Sequence, residues 1–189
     1  MSTHPAAPAT FGPSALATPA NGVTLARLMA TPLLMGLVAA RGASWATVTV
    51  WFIIASTDGV DGYIARRMGT TRSGAFLDPL ADKVCVLGAM VALVWRGTFW
   101  WLPVGVIAAR EIGLIGYRSV LGRRGVSMPA SQGAKLKTLV QSLAVGAALL
   151  PTTARHPQLA GALLWMAVGL TLATGAQYLL DGRRASLAA

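Results

Sequence analysis

A chain of 189 residues that is 54% apolar and 12% charged, with a mean hydropathy of +0.60, is not composed like a soluble domain, where about a quarter of residues are charged. Its formal net charge of +10 is high enough for a nucleic-acid binder. The basic residues, however, fall between apolar stretches, which assigns them to topology and to anionic lipid or phosphate and excludes nucleic acid as a partner. The one cysteine, Cys85, lies inside an apolar run, so an internal disulfide is excluded and the residue reads as a small buried side chain.

Residues 1–20 are rich in Ala, Pro and Thr and contain no Lys or Arg. They lack the basic segment and apolar run of a signal peptide and are expected to form a disordered tail. One membrane domain over 21–182 and a C-terminal tail over 183–189 follow. A spanning helix takes about 20 mostly apolar residues. Stretches that meet this run over roughly 23–41, 44–66, 79–96, 98–121, 135–153 and 158–180. The fold class expected is an all-α integral membrane protein, a six-transmembrane-helix bundle with an active site facing the cytosol.

In the first helix Thr31 and Pro32 read as a kink. The second and third helices carry four of the six acidic residues, Asp58, Asp61, Asp78 and Asp82, and are joined by the polar, Gly-bounded connection Arg67–Gly74. Such a connection makes them antiparallel neighbours. Lys83 is expected to snorkel or to pair with an acid. The fourth helix holds Arg110 and Glu111 deep in its span, where a charge is costly. Adjacent residues face apart on a helix, so Glu111 is expected to pair with a cation other than Arg110.

Arg27, Arg66, Arg67, Arg72, Arg118, Arg123, Arg124, Lys135, Lys137, Arg183 and Arg184 fall on one side of these spans, against Arg41, Arg96 and Arg155 on the other. The positive-inside rule places both termini, the acidic connection and the basic loop 118–137 in the cytoplasm, in a plasma-membrane protein. Arg123 and Arg124 read as solvated loop charges. Trp45, Trp51, Trp95, Trp100, Trp101 and Trp165 gather in the opposite half, as an interfacial aromatic belt does. His4 and His156 lie too far from the acidic motif for histidine-based catalysis.

Asp58, Asp61, Gly62 and Ala65 recur at i, i+3, i+4 and i+7 and share one face of the second helix; Asp78 and Asp82, at i and i+4, share one face of the third. Four carboxylates in so apolar a chain need their repulsion offset, and a divalent cation does this. A set of oxygen donors suits Mg²⁺ or Mn²⁺ rather than Zn²⁺. Small residues on the carboxylate face leave room for a ligand, and Arg66, one turn after Gly62, is within reach of a phosphate.

The motif D-x2-D-G-x2-A-R followed by G-x3-D-x3-D is filled by Asp58, Asp61, Gly62, Ala65, Arg66, Gly74, Asp78 and Asp82. It resembles the signature of the CDP-alcohol phosphotransferases, with the stretch between Arg66 and Gly74 one residue shorter than in many members. The resemblance implies a six-helix membrane bundle whose members displace CMP from a CDP-linked lipid by an alcohol. It implies that Asp58, Asp61 and Asp78 bind two divalent ions, Mg²⁺ or Mn²⁺. Asp82 is then the base that deprotonates the attacking hydroxyl and also contacts a metal. Asp58, Gly62, Ala65, Arg66 and Gly74 would line the CDP site, and a homodimer is implied.

The stretches Ala109-Arg110-Glu111 and Gly133-Ala134-Lys135-Leu136-Lys137-Thr138, with Asn21, Thr24, Arg27 and Pro32 in the entry helix, resemble the phosphatidylglycerophosphate synthases. This branch takes CDP-diacylglycerol and glycerol 3-phosphate and works among membrane lipids. Glycerol 3-phosphate is a dianion, and Arg118, Lys135, Arg110 and Lys137 are the cations expected to receive its phosphate. Inositol phosphate would need the same cations. A divalent-cation transporter is the alternative of another class. Against it, the aspartates sit at one interface rather than across the midplane, and the cations around them would repel its cargo.

Overall fold

The computed structural model describes residues 19–68, 72–123 and 132–188, with side chains described over 22–57, 80–117, 133, 135–180 and 182. The described residues form the helices α1 (Pro19–Arg41), α2 (Trp45–Met68), α3 (Arg72–Trp95), α4 (Trp101–Arg123), α5 (Gln132–Leu149) and α6 (Pro157–Ala188), with no strand among them. The chain is thus all-helical. The expected tail lies outside the described residues up to position 18, as do 124–131 of the basic loop. Two helices differ most in extent from the apolar stretches. The third begins at Arg72 rather than 79, so Gly74 and Asp78 are helical and the connection to α2 shrinks to 69–71; the sixth runs to Ala188. Apolarity marks where a helix can meet lipid, whereas the helix itself continues through polar turns beyond.

Local chemistry explains the ends. Gly42 closes α1 in the left-handed region (φ 62°) and donates its N–H to the Val38 carbonyl at 2.8 Å. Ser44 then caps α2: its Oγ accepts from the Thr47 N–H at 3.2 Å, while Thr47 Oγ1 accepts from the Ser44 N–H at 3.0 Å. Arg96, after α3, donates from Nη1 to the Ala39 carbonyl at 2.8 Å, placing a cation on the last turn of α1.

Burial follows an inverted pattern. On α1 the polar Thr24, Arg27 and Thr31 are buried in register with Leu34 and Val38, while Leu25, Met29 and Leu33 are exposed. On α5, Lys137, Gln141, Ala144 and Val145 are buried and Leu136, Leu139 and Leu143 exposed. Apolar stripes therefore cover the outside, as they do where lipid is the solvent. The helical segments Gly22–Arg41 and Pro157–Leu180 are long and apolar enough to cross a membrane, and most of each is not buried within the bundle. The chain is a membrane protein.

Five tryptophans, Trp45, Trp95, Trp100, Trp101 and Trp165, are exposed, and Trp100 and Trp165 rings meet at 6.2 Å. Trp51 departs from the expected belt. It is 4% exposed and packs against Gly146 of α5, because α2 turns that face inward and the glycine leaves space for an indole. Arg27, counted among the cytoplasmic-side charges, lies inside the bundle. It is 3% exposed, between α1 and α2.

Packing fixes the register. Gly88 of α3 lies against Thr31 and Met35, and Arg96 reaches Ala39, so α1 and α3 run parallel. Arg27 of α1 meets Thr57 of α2, and Thr47 meets Gly42, so α1 and α2 run antiparallel. Among the described residues α1 packs on both α2 and α3, which make little contact with each other. The facing ends of α2 and α3, where their direct pairing is expected, carry side chains outside the described residues. Among the described residues, helices α3, α4, α6 and α5 form a ring in which each packs on the next, while the diagonal pairs make little backbone contact.

Candidate functional site

Asp58 and Asp61 lie on α2, Asp78 and Asp82 on α3. Extending the two registers from Thr31–Gly88 and Arg27–Thr57 brings these four backbone positions within about 8 Å along the bundle axis, at 1.5 Å per residue. The side chains of Asp58, Asp61, Ala65, Arg66, Asp78 and Arg118, and the surroundings of Gly62 and Gly74, lie outside the described residues. Asp82 is described and half-buried. As a donor set, four carboxylates on two helices at one level are chemically suited to hold oxygen-seeking divalent ions.

At the same level a layer of polar side chains crosses the interior, and all six helices contribute. Arg27 (α1) donates from Nε to Thr57 Oγ1 (α2) at 3.4 Å. Thr31 Oγ1 turns back to the Arg27 carbonyl at 2.9 Å. In the four-helix ring the centre is Glu111 of α4, 2% exposed. Its Oε1 accepts from Lys137 Nζ of α5 and, at 2.8 Å, from Arg110 Nη1. Its Oε2 lies 3.1 Å from Lys83 Nζ of α3, an ion pair without hydrogen-bond alignment. Arg110 Nη2 continues to Thr174 Oγ1 of α6 at 3.0 Å, and Gln141 Nε2 of α5 donates to Thr171 Oγ1 at 3.2 Å. Beyond this layer the interior is apolar, built from Leu34, Val38, Met90, Leu93, Ile107, Val145 and Leu149.

The cations expected for an acceptor phosphate separate. Lys137 is 4% exposed and held inside by Glu111; Arg110 is part-buried in the same cluster; Lys135 is exposed. Lys83 is ion-paired. The expectation that Glu111 and Arg110 face apart is corrected: both side chains are long enough to curl together, and Glu111 binds Arg110 as well as Lys137 and Lys83. Reading the sequence missed Arg27 as a buried residue. The signal was present in the helical spacing of Thr24, Arg27 and Thr31, a polar stripe opposite Leu25, Met29 and Leu33.

Comparison with known proteins accords with the motif. The family model described as CDP-alcohol phosphatidyltransferase matches residues 17–173. A protein of Mycobacterium tuberculosis named probable phosphatidylglycerophosphate synthase is 39% identical over 191 residues, spanning 97% of this chain and 90% of its own. The CDP-diacylglycerol–glycerol-3-phosphate 3-phosphatidyltransferase of Bacillus subtilis is 37% identical, over 84% of this chain and 91% of its own. A protein of that same name from Haemophilus influenzae is 40% identical over 70% and 75%.

Proposed function

The chain belongs to the CDP-alcohol phosphatidyltransferase family, and from that premise we propose that it transfers the phosphatidyl group of CDP-diacylglycerol to glycerol 3-phosphate, giving phosphatidylglycerophosphate and CMP. The observation that carries this reading is the likeness, over nearly the whole chain, to relatives named for that reaction. The buried Lys137 and the part-buried Arg110, at the level of the aspartates, suit an acceptor that is itself a dianion.

Asp58, Asp61, Asp78 and Asp82 would hold two Mg²⁺ or Mn²⁺ ions, which when bound would neutralise the charge of the diphosphate. Asp82 takes the proton of the acceptor hydroxyl as that oxygen bonds to the phosphorus bearing diacylglycerol. The bond from this phosphorus to the bridging oxygen breaks, and CMP departs with the electron pair. Arg66, with Gly62, Ala65 and Gly74, binds the CDP portion, and the guanidinium offsets the charge on the leaving phosphate. Arg110, Lys137, Lys135 and Arg118 draw in the acceptor's phosphate. The bundle crosses the membrane six times with both termini cytoplasmic, the aspartates open toward the cytosol, and the protein works as a homodimer.

The test is CMP release from CDP-diacylglycerol by the purified full chain in detergent or liposomes, with glycerol 3-phosphate or inositol phosphate as acceptor. Release is expected with glycerol 3-phosphate, lost on chelation with EDTA and restored by Mg²⁺ or Mn²⁺. Turnover with inositol phosphate alone would reassign the acceptor. Cation flux into liposomes without CMP release would replace the enzyme reading by the transporter.

A further inference from the structure

Three cations from three helices converge on one buried carboxylate. Lys83, Arg110 and Lys137 all lie within ion-pair distance of Glu111, whose side chain is 3% exposed. Among the described residues one negative charge faces three positive ones in this cluster, and buried charge is costly unless it is balanced. The bonds are also unequal. Lys137 and Arg110 share the hydrogen-bonding oxygen Oε1, whereas Lys83, which is more exposed, reaches Oε2 by proximity only. The carboxylate joins α4 to α5, whose backbones pack little on one another among the described residues. Without it nothing described would fix the Lys137 ammonium, since a lysine stem has four rotatable bonds and a point charge at its end.

We propose that Glu111 is a positioning residue for the acceptor: it touches no substrate, and it holds Lys137 and Arg110 where the anionic acceptor is received. This rests on the acceptor reading above. The sign of its effect separates it from simple attraction. If positive charge alone mattered, removing the carboxylate would strengthen binding of an anion. If placement matters, removal weakens it, because Lys137 and Arg110 then repel one another and move apart.

Glu111→Gln keeps the shape and loses the charge. In the full-length protein its KM for glycerol 3-phosphate is expected to rise about tenfold, with kcat changed less than about threefold and the KM for CDP-diacylglycerol unmoved, the pattern of lost binding rather than lost chemistry. Thermal unfolding gives a reading without turnover: glycerol 3-phosphate is expected to raise the wild-type Tm and to raise that of Glu111→Gln less at equal concentration. Glu111→Asp, which keeps the charge, is expected to recover part of the KM. Lys83→Met is expected to leave it within about twofold, since Lys83 makes the pair without hydrogen-bond alignment. Should Glu111→Gln not fold, Glu111→Asp carries the test, with a KM rise confined to the acceptor.

An unchanged or lowered acceptor KM in a folded Glu111→Gln protein would overturn the proposal and leave the function reading intact. Equal losses toward both substrates would reduce Glu111 to a structural role. A wild-type protein that accepts only an uncharged alcohol would overturn the function reading, and this proposal with it.

Discussion

Asp82 is the only one of the four aspartates whose side chain is described, and it follows the register of α3 against α1 down to the polar layer. If it is the base, Asp82→Asn keeps volume and hydrogen-bonding capacity but cannot take a proton. CMP release is expected to fall by at least the ~10²–10³-fold typical of losing a preorganised charged group. The protein should stay monodisperse in detergent with an unchanged Tm, and near-wild-type release would refute the assignment. Arg27 makes a different case. It is buried beside Thr57, the residue before Asp58. Arg27→Met removes a buried charge while retaining much of the stem, so the outcome expected is a larger loss of activity than of stability, read from CMP release and Tm on the same preparation.

Between helices, one close approach joins α1 and α3. A Cβ at Gly88 would stand 3.0 Å from Thr31 Cγ2 and 3.2 Å from Met35 Sδ. Small residues at such contacts let backbones approach where no hydrophobic effect drives helices together. Gly88→Leu is therefore expected to destabilise by about 1–3 kcal/mol through overpacking, seen as a lower Tm in detergent. Gly169→Ala on the exposed face of α6, where a Cβ meets nothing within 4 Å, is expected to leave Tm unchanged or slightly raised. A Gly88→Leu protein as stable as wild type would mean that α1 and α3 are not held as closely as their packing indicates. The same contact sets the height of Asp82 relative to α1, so Gly88→Leu should also reduce activity.

At the scale of the whole molecule, topology is the prediction. With Cys85 replaced by Ser, a single Ser127→Cys is expected to react with an impermeant maleimide from the cytoplasmic side, and a single His156→Cys from the other; labelling of both from one side would reject the six-span arrangement. Helix existence and the aspartate spacing could be read from the chain because both are local: apolar length marks each span, and D-x2-D or D-x3-D fixes a face within one helix. The inward or outward sense of each face was also encoded, in polar stripes such as Thr24-Arg27-Thr31, but inverted relative to a soluble core and so missed at Arg27 and Trp51. What only the tertiary structure decided was partnership. Arg27 with Thr57, Lys137 with Glu111 and Arg110 with Thr174 join residues 30, 26 and 64 positions apart, on different helices. A charge inside an apolar span demands a partner, but which of several cations and acids meet depends on helix order around the ring and on relative height, and no spacing within a single helix carries either.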